Sequence, residues 1–238
     1  MIHTGRNIRF NGSLTGTGTL TLNNQSVTGN TFEINGAWNA FAGTLRITHG
    51  GGSNSNVRTI FNGGSFNGLG AAALEIDASL SINPVTNSGG NTFSIGSLTS
   101  SSSNTILNGG SAGSPNYTIG SLNASTTFAG KFQGNAMLTK VGTGTLTLEG
   151  TMGYTGVTTI SAGTLRVGAA SGTNTTTSLA TSSSIVNNAT LIFRRTDAAE
   201  VDVAGSISGT GSVLYEGSGT SNQSRYTGNS ASTYSGGT

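Results

Sequence analysis

Apolar and polar residues alternate with a period of two along most of this chain. In Leu138 to Gly168, Leu146 and Leu148 alternate with Thr145, Thr147 and Glu149, while Leu165 and Val167 bracket Arg166. Each run therefore predicts a short strand with one apolar face. Leu74 to Ile82 alternates in the same way and predicts a longer strand with Leu74, Ile76 and Leu80 inward and Glu75 and Asp77 outward. Glycines 142, 144, 150, 153, 156 and 163 punctuate the first stretch where strands must turn. Nowhere do apolar residues keep the helical period over three turns, so no helix is predicted.

The strands repeat. Phe128, Ala129, Gly130, Phe132 and Gly134 recur in the same spacing as Val203, Ala204, Gly205, Ile207 and Gly209. Phe93 to Leu98 returns as Tyr117 to Leu122, and Thr59 to Ser65 as Thr105 to Ser111. Gly16 to Leu22 matches Gly142 to Leu148, and Phe41 to Ile47 shares features of both halves of the central stretch. The shortest of these offsets, from Phe93 to Tyr117, is one step; the pair beginning at Thr59 is about two steps apart and the pair beginning at Phe128 about three. That step is a coil length. Repeats of this size made only of short strands and glycine turns predict an all-β parallel β-helix, or β-solenoid, in which each coil covers the next. At 238 residues the step implies about ten coils in one elongated domain, 1–238. Leu20, Leu45, Leu146, Leu148, Leu165, Val167, Leu191 and Phe193 are expected to point inward, joined by Phe32, Ile34, Trp38, Phe41 and Ile47.

Composition narrows the class. Glycine accounts for 39 residues and only 8% are charged, a balance that could suit a flexible segment, but 33% hydrophobic content in alternating runs opposes disorder. Cysteine is absent, which removes disulfides and thiolate metal sites. No apolar run is long enough for a transmembrane helix, so no membrane insertion by this segment is expected, and no signal peptide follows Met1. The net charge of +2 comes with scattered arginines and no interleaved aromatics, which sets nucleic-acid binding aside.

In order along the chain, Asn7 to Leu22 predicts two strands and Val27 to Ile47 three. His49 to Asn56 reads as a loop. Strands follow around Ile60–Phe61, Leu74 to Ile82, Phe93 to Leu98, Thr105 to Leu107 and Tyr117 to Leu122, with Ser100 to Asn104 as a turn. Pro84 and Pro115 are expected at strand edges. Residues 169–184 form the longest candidate loop, with Leu179 as its one large apolar residue, and offer no charge or aromatic to grip a ligand. Tyr234 to Thr238 matches Tyr154 to Thr158 without the strand that should follow. The chain is accordingly read as an excised piece whose open coil edge would fray or pair end to end with a second copy.

Phe128 to Gly168 resembles the passenger-associated repeat of bacterial autotransporters. The resemblance is carried by Leu138-Thr139-Lys140, the GTGTLTL run of Gly142 to Leu148, the YTGVTTI run of Tyr154 to Ile160 and the AGTLRVG run of Ala162 to Gly168. It is clearest over 125–219 and weaker before Gly90. The resemblance implies a right-handed, single-stranded helix of coils, secreted or displayed on the bacterial outer-membrane surface.

The candidate chemistry is sparse. Glu75 and Asp77 share a strand face, as a calcium site or a carboxylate pair would require, yet the neighbouring sequence supplies no base, and solvation of an outward face is the simpler reading. Asp197, Glu200 and Asp202 follow Arg194-Arg195 and read as local charge pairing. His3 and His49 are far apart, and no serine occupies a nucleophile elbow. Arg46 and Arg166 hold equivalent places in matching strands, on a polar stripe that could bind glycans or another surface. Arg46, Arg166, Glu75 and Asp77 are therefore the surface-interaction candidates; no catalytic residue, metal or cofactor is expected. Two functions are in view. One is a rigid stalk or adhesin scaffold meeting surface glycans or extracellular proteins, without enzymatic activity. The other is a carbohydrate-active β-helix enzyme or glycan-binding module, which should show carboxylates and basic groups converging in one groove.

Overall fold

The computed structural model describes residues 7–24, 31–49, 58–62, 68–77, 81–85, 92–109, 113–168, 179, 184–195, 203 and 205–217. Within them all regular structure is β. The strands of the first half are β1 (Ile8–Phe10), β2 (Thr19–Asn24), β3 (Thr31–Ile34), β4 (Thr44–His49), β5 (Arg58–Asn62), β6 (Gly68–Asp77), β7 (Ser81–Val85), β8 (Thr92–Ser100), β9 (Ile106–Asn108) and β10 (Asn116–Ile119). The second half holds β11 (Thr126–Phe128), β12 (Lys131–Gly134), β13 (Met137–Lys140), β14 (Thr145–Leu148), β15 (Met152–Tyr154), β16 (Thr158–Ile160), β17 (Thr164–Val167), β18 (Ile185–Asn187), β19 (Thr190–Arg195), β20 (Ile207–Ser208) and β21 (Ser212–Gly217).

Among the described residues every strand pairing is parallel, and each strand pairs with strands one coil away, which makes the molecule a β-solenoid. One wall is the row β1-β3-β5-β7-β9-β12-β15. A second is β8-β10-β13-β16-β18-β20, and the longest is β2-β4-β6-β8-β11-β14-β17-β19-β21. The last two join into one sheet because β6 and β8, at 10 and 9 residues, run across the corner between them.

Parity decides what faces inward. Leu45, Leu74, Leu146, Leu165 and Leu191 share one inward column of the longest wall and are at most 1% exposed, while Leu20 at its end packs against the core partly buried. Leu148, Val167 and Phe193 form the next inward column. Aromatic rings run through the coils behind the first wall: Phe61, Phe93, Tyr117, Phe132 and Tyr154 lie 4.8 to 5.9 Å apart between successive ring centroids. Burying a leucine in such a column contributes about 1.5–3 kcal/mol, so adjacent coils hold one another. The other expected core residues, Phe32, Ile34, Trp38, Phe41 and Ile47, are buried as well.

Several expectations change. Among the described residues the longest row holds nine strands, and the solenoid makes fewer turns than the ten coils expected. The coils are unequal, since the in-register step from Thr44 to Ala73 is much longer than the step from Thr145 to Thr164, and dividing chain length by one step overcounts. Leu74 to Ile82 is not one strand. β6 ends at Asp77 and β7 begins at Ser81 in the other sheet, so the alternating run turns a corner, and Leu80 lies outside the described residues. Residues 31–47 hold two strands, not three; the start of the predicted segment lies outside the described residues. β10 stops at Ile119 because Gly120, at φ +119°, turns the chain and leaves Leu122 exposed. Pro84 lies within β7 opposite Phe61, in the part that has no partner in β9, so its missing N–H is tolerated. Of the long candidate loop only Leu179 and Ser184 are described, and Leu179 joins the core at 2% exposure.

Candidate functional site

The outward face of the longest wall carries the candidate residues. Register places Thr21, Arg46 and Glu75 in one column, and continues it through Thr99, Thr127, Thr147 and Arg166 to Ile192 and Leu214. Arg46 and Arg166 therefore do share a stripe, five coils apart, with a glutamate and three threonines between them.

Glu75 and Asp77 face outward together, as their spacing requires, but each has its own partner. Arg46 Nη2 and Nε approach Glu75 Oε2 at 2.7 and 2.8 Å across adjacent coils. Asp77 Oδ1 accepts from Ser101 Oγ at 2.7 Å. The cation that the neighbouring sequence lacks comes instead from the preceding coil. Both members of the ion pair are well exposed, which limits it to about 0–1 kcal/mol. A matching rung on the first wall pairs Arg9 Nε with Glu33 Oε2 at 2.6 Å. Asp197, Glu200, Asp202 and His3 lie outside the described residues. His49 Nδ1 donates to the Asn24 carbonyl at 2.7 Å. Among the described residues no three carboxylate or histidine side chains gather as a metal would require.

Arg166 stands differently. Its Nη2 is 3.9 Å from Glu216 Oε1, beyond hydrogen-bond range, and its Nε is buried with no acceptor. Beside it the wall dips into an open groove of about 880 Å3, bounded by Thr99, Ser125, Thr127, Thr147 and Glu149 as well as Arg166. Thr126, in register with Leu146, also borders it.

Two further polar residues matter and escape a reading of the sequence. Lys140 has the inward parity of Leu138 and is 1% exposed. Its Nζ donates to the carbonyls of Val141 at 2.6 Å, Gly142 at 2.8 Å and Ala162 at 3.2 Å, closing the corner between two walls. Burial pushes its pKa down to about 8. Asn187 is in register with Ile160, which in turn pairs with Lys140, and it serves the same end: its Nδ2 donates to Ser212 O at 2.8 Å and its Oδ1 accepts from Ala189 N at 3.2 Å. On the first wall Asn62 donates to Asn35 and Asn35 to Asn11, at 2.7 and 2.8 Å, an amide ladder over three coils. The signal for Lys140 and Asn187 is parity, which a polarity-based reading discards.

Residues 138–167 match the family model for the passenger-associated-transport-repeat. The match spans β13 to β17 and falls inside the 125–219 stretch where the sequence resemblance is clearest, so the resemblance holds for these coils. No curated protein and no solved structure matches the chain. A passenger-associated repeat on a parallel β-solenoid fits an autotransporter passenger.

Proposed function

We propose that this chain is a rigid interaction segment of an autotransporter-like passenger, secreted or displayed at the bacterial surface, where its coils act as a stalk or adhesin scaffold. The observation that carries this reading is the stack of parallel coils that contains the passenger-associated repeat. Such a stack extends by about 4.8 Å per coil and resists bending because each inner coil is packed on two others. Its charged groups support the reading too. Arg46 with Glu75 and Arg9 with Glu33 are spent in bridges between neighbouring coils, which supports a part in holding the coils together.

The test is the location of the segment on its native cell. Antibodies raised against the purified segment are expected to label intact producing cells, or to find their antigen in the medium. Labelling that appears only after the cells are permeabilised would overturn the proposal.

A further inference from the structure

The groove beside Arg166 is a concave part of the polar stripe, and hydroxyl side chains predominate among its lining residues. Thr99, Ser125 and Thr127 carry hydroxyls, which both donate and accept hydrogen bonds, while Thr147 beside them is buried. Glu149 adds an acceptor at the margin and Arg166 a cation. The volume of about 880 Å3 falls in the range of sites that hold small ligands. The Arg166 side chain keeps 23% exposure and its Nη2 is too far from Glu216 for a hydrogen bond, so the end of the guanidinium is open to a carboxylate, its preferred partner.

From this geometry we infer that the groove over β8, β11, β14 and β17 is a binding site for an acidic saccharide, with Arg166 taking a sugar carboxylate and the threonine hydroxyls taking ring hydroxyls. The inference rests on the interaction role proposed above and names its ligand. A peptide is disfavoured because the strands under the groove are paired on both sides, leaving no free edge for an added strand. Nucleic acid is disfavoured because one guanidinium is no basic footprint. The hydroxyl-rich wall and its guanidinium suit a chain that carries many hydroxyls and occasional charge.

Titration calorimetry with tetragalacturonate, its methyl ester and tetraglutamate tests this. Tetragalacturonate is expected to bind saturably and the methyl ester, with the same hydroxyls and no charge, at least about tenfold more weakly, as for loss of one charge-assisted hydrogen bond. Tetraglutamate should not bind. Arg166→Gln should weaken tetragalacturonate binding about tenfold, whereas Arg46→Gln, which removes the same charge outside the groove, should change it less than about twofold. Should Arg166→Gln fail to fold, Thr127→Val is expected to weaken binding about threefold with the thermal transition unchanged. Absence of saturable binding, equal effects of the two arginine substitutions, or tetraglutamate binding as tightly as the saccharide would each overturn the inference. These outcomes are independent of surface labelling, so the stalk reading can stand if the groove assignment falls.

Discussion

Lys140 Nζ donates to the carbonyl of Ala162, one coil further along the chain, at 3.2 Å. With Val141 and Gly142 accepting as well, the ammonium is held by three carbonyls inside a corner that water barely reaches.

This corner should make stability depend on pH above neutrality. Burial holds the folded pKa of Lys140 near 8, below the ordinary 10.5, so between those values the unfolded chain binds more protons than the folded one. Stability therefore rises with pH from about 8 toward 10. At higher pH the buried phenols of Tyr117 and Tyr154, both held above their ordinary pKa, reverse the trend. Urea midpoints measured at intervals from pH 7 to 10 should climb for the native chain and stay flat for Lys140→Met. Parallel slopes would remove Lys140 as the cause.

Two glycines in the repeat should respond differently to alanine. Gly142 has φ +69°, and a Cβ there would lie 1.9 Å from the Gly120 carbonyl oxygen of the neighbouring coil. Gly142→Ala should cost at least about 2 kcal/mol. Gly153 lies within β15, where the nearest atom to an added Cβ is 3.7 Å away, and Gly153→Ala should stay within about 1 kcal/mol of the native chain. Denaturant unfolding of both variants checks the contrast.

Leu165 and Leu214 offer the same test for the core. Leu165 is fully buried between Leu146 and Leu191, so Leu165→Ala should cost about 2–5 kcal/mol. Leu214 is 46% exposed on the outward column, and Leu214→Ala should change stability by no more than about 0.5 kcal/mol. Equal losses in thermal unfolding would contradict the assignment of inner and outer faces.

The alternation of Leu146 and Leu148 with Thr145 and Thr147 is enough to read strands, and their copies are enough to read a stack, because a parallel wall repeats the same parity in every coil. What escapes is everything that depends on corners. The pairing of Arg46 with Glu75 cannot be read, since the step between them is far longer than the step from Thr147 to Arg166 and no single coil length predicts both. Alternation across Asp77 looks continuous because parity survives a bend in which the chain changes walls. Lys140 and Asn187 are hidden for a different reason. A charged or amide side chain at an inward position is normally excluded by desolvation, and only the backbone groups of the corner make it stable there. The groove is equally hidden, since its borders come from four strands that only the register brings together.

The stripe, the groove and the stalk all depend on the parallel stack, and one distance tests it. Spin labels on cysteines placed at 46 and 166 report the separation of two side chains that are remote in sequence but five coils apart on one column. At about 4.8 Å per coil the pulsed dipolar measurement should give a narrow distribution centred at about 24 Å, broadened only by the label arms. A broad distribution, or a distance far from that value, would contradict the stack and with it the stripe, the groove and the stalk.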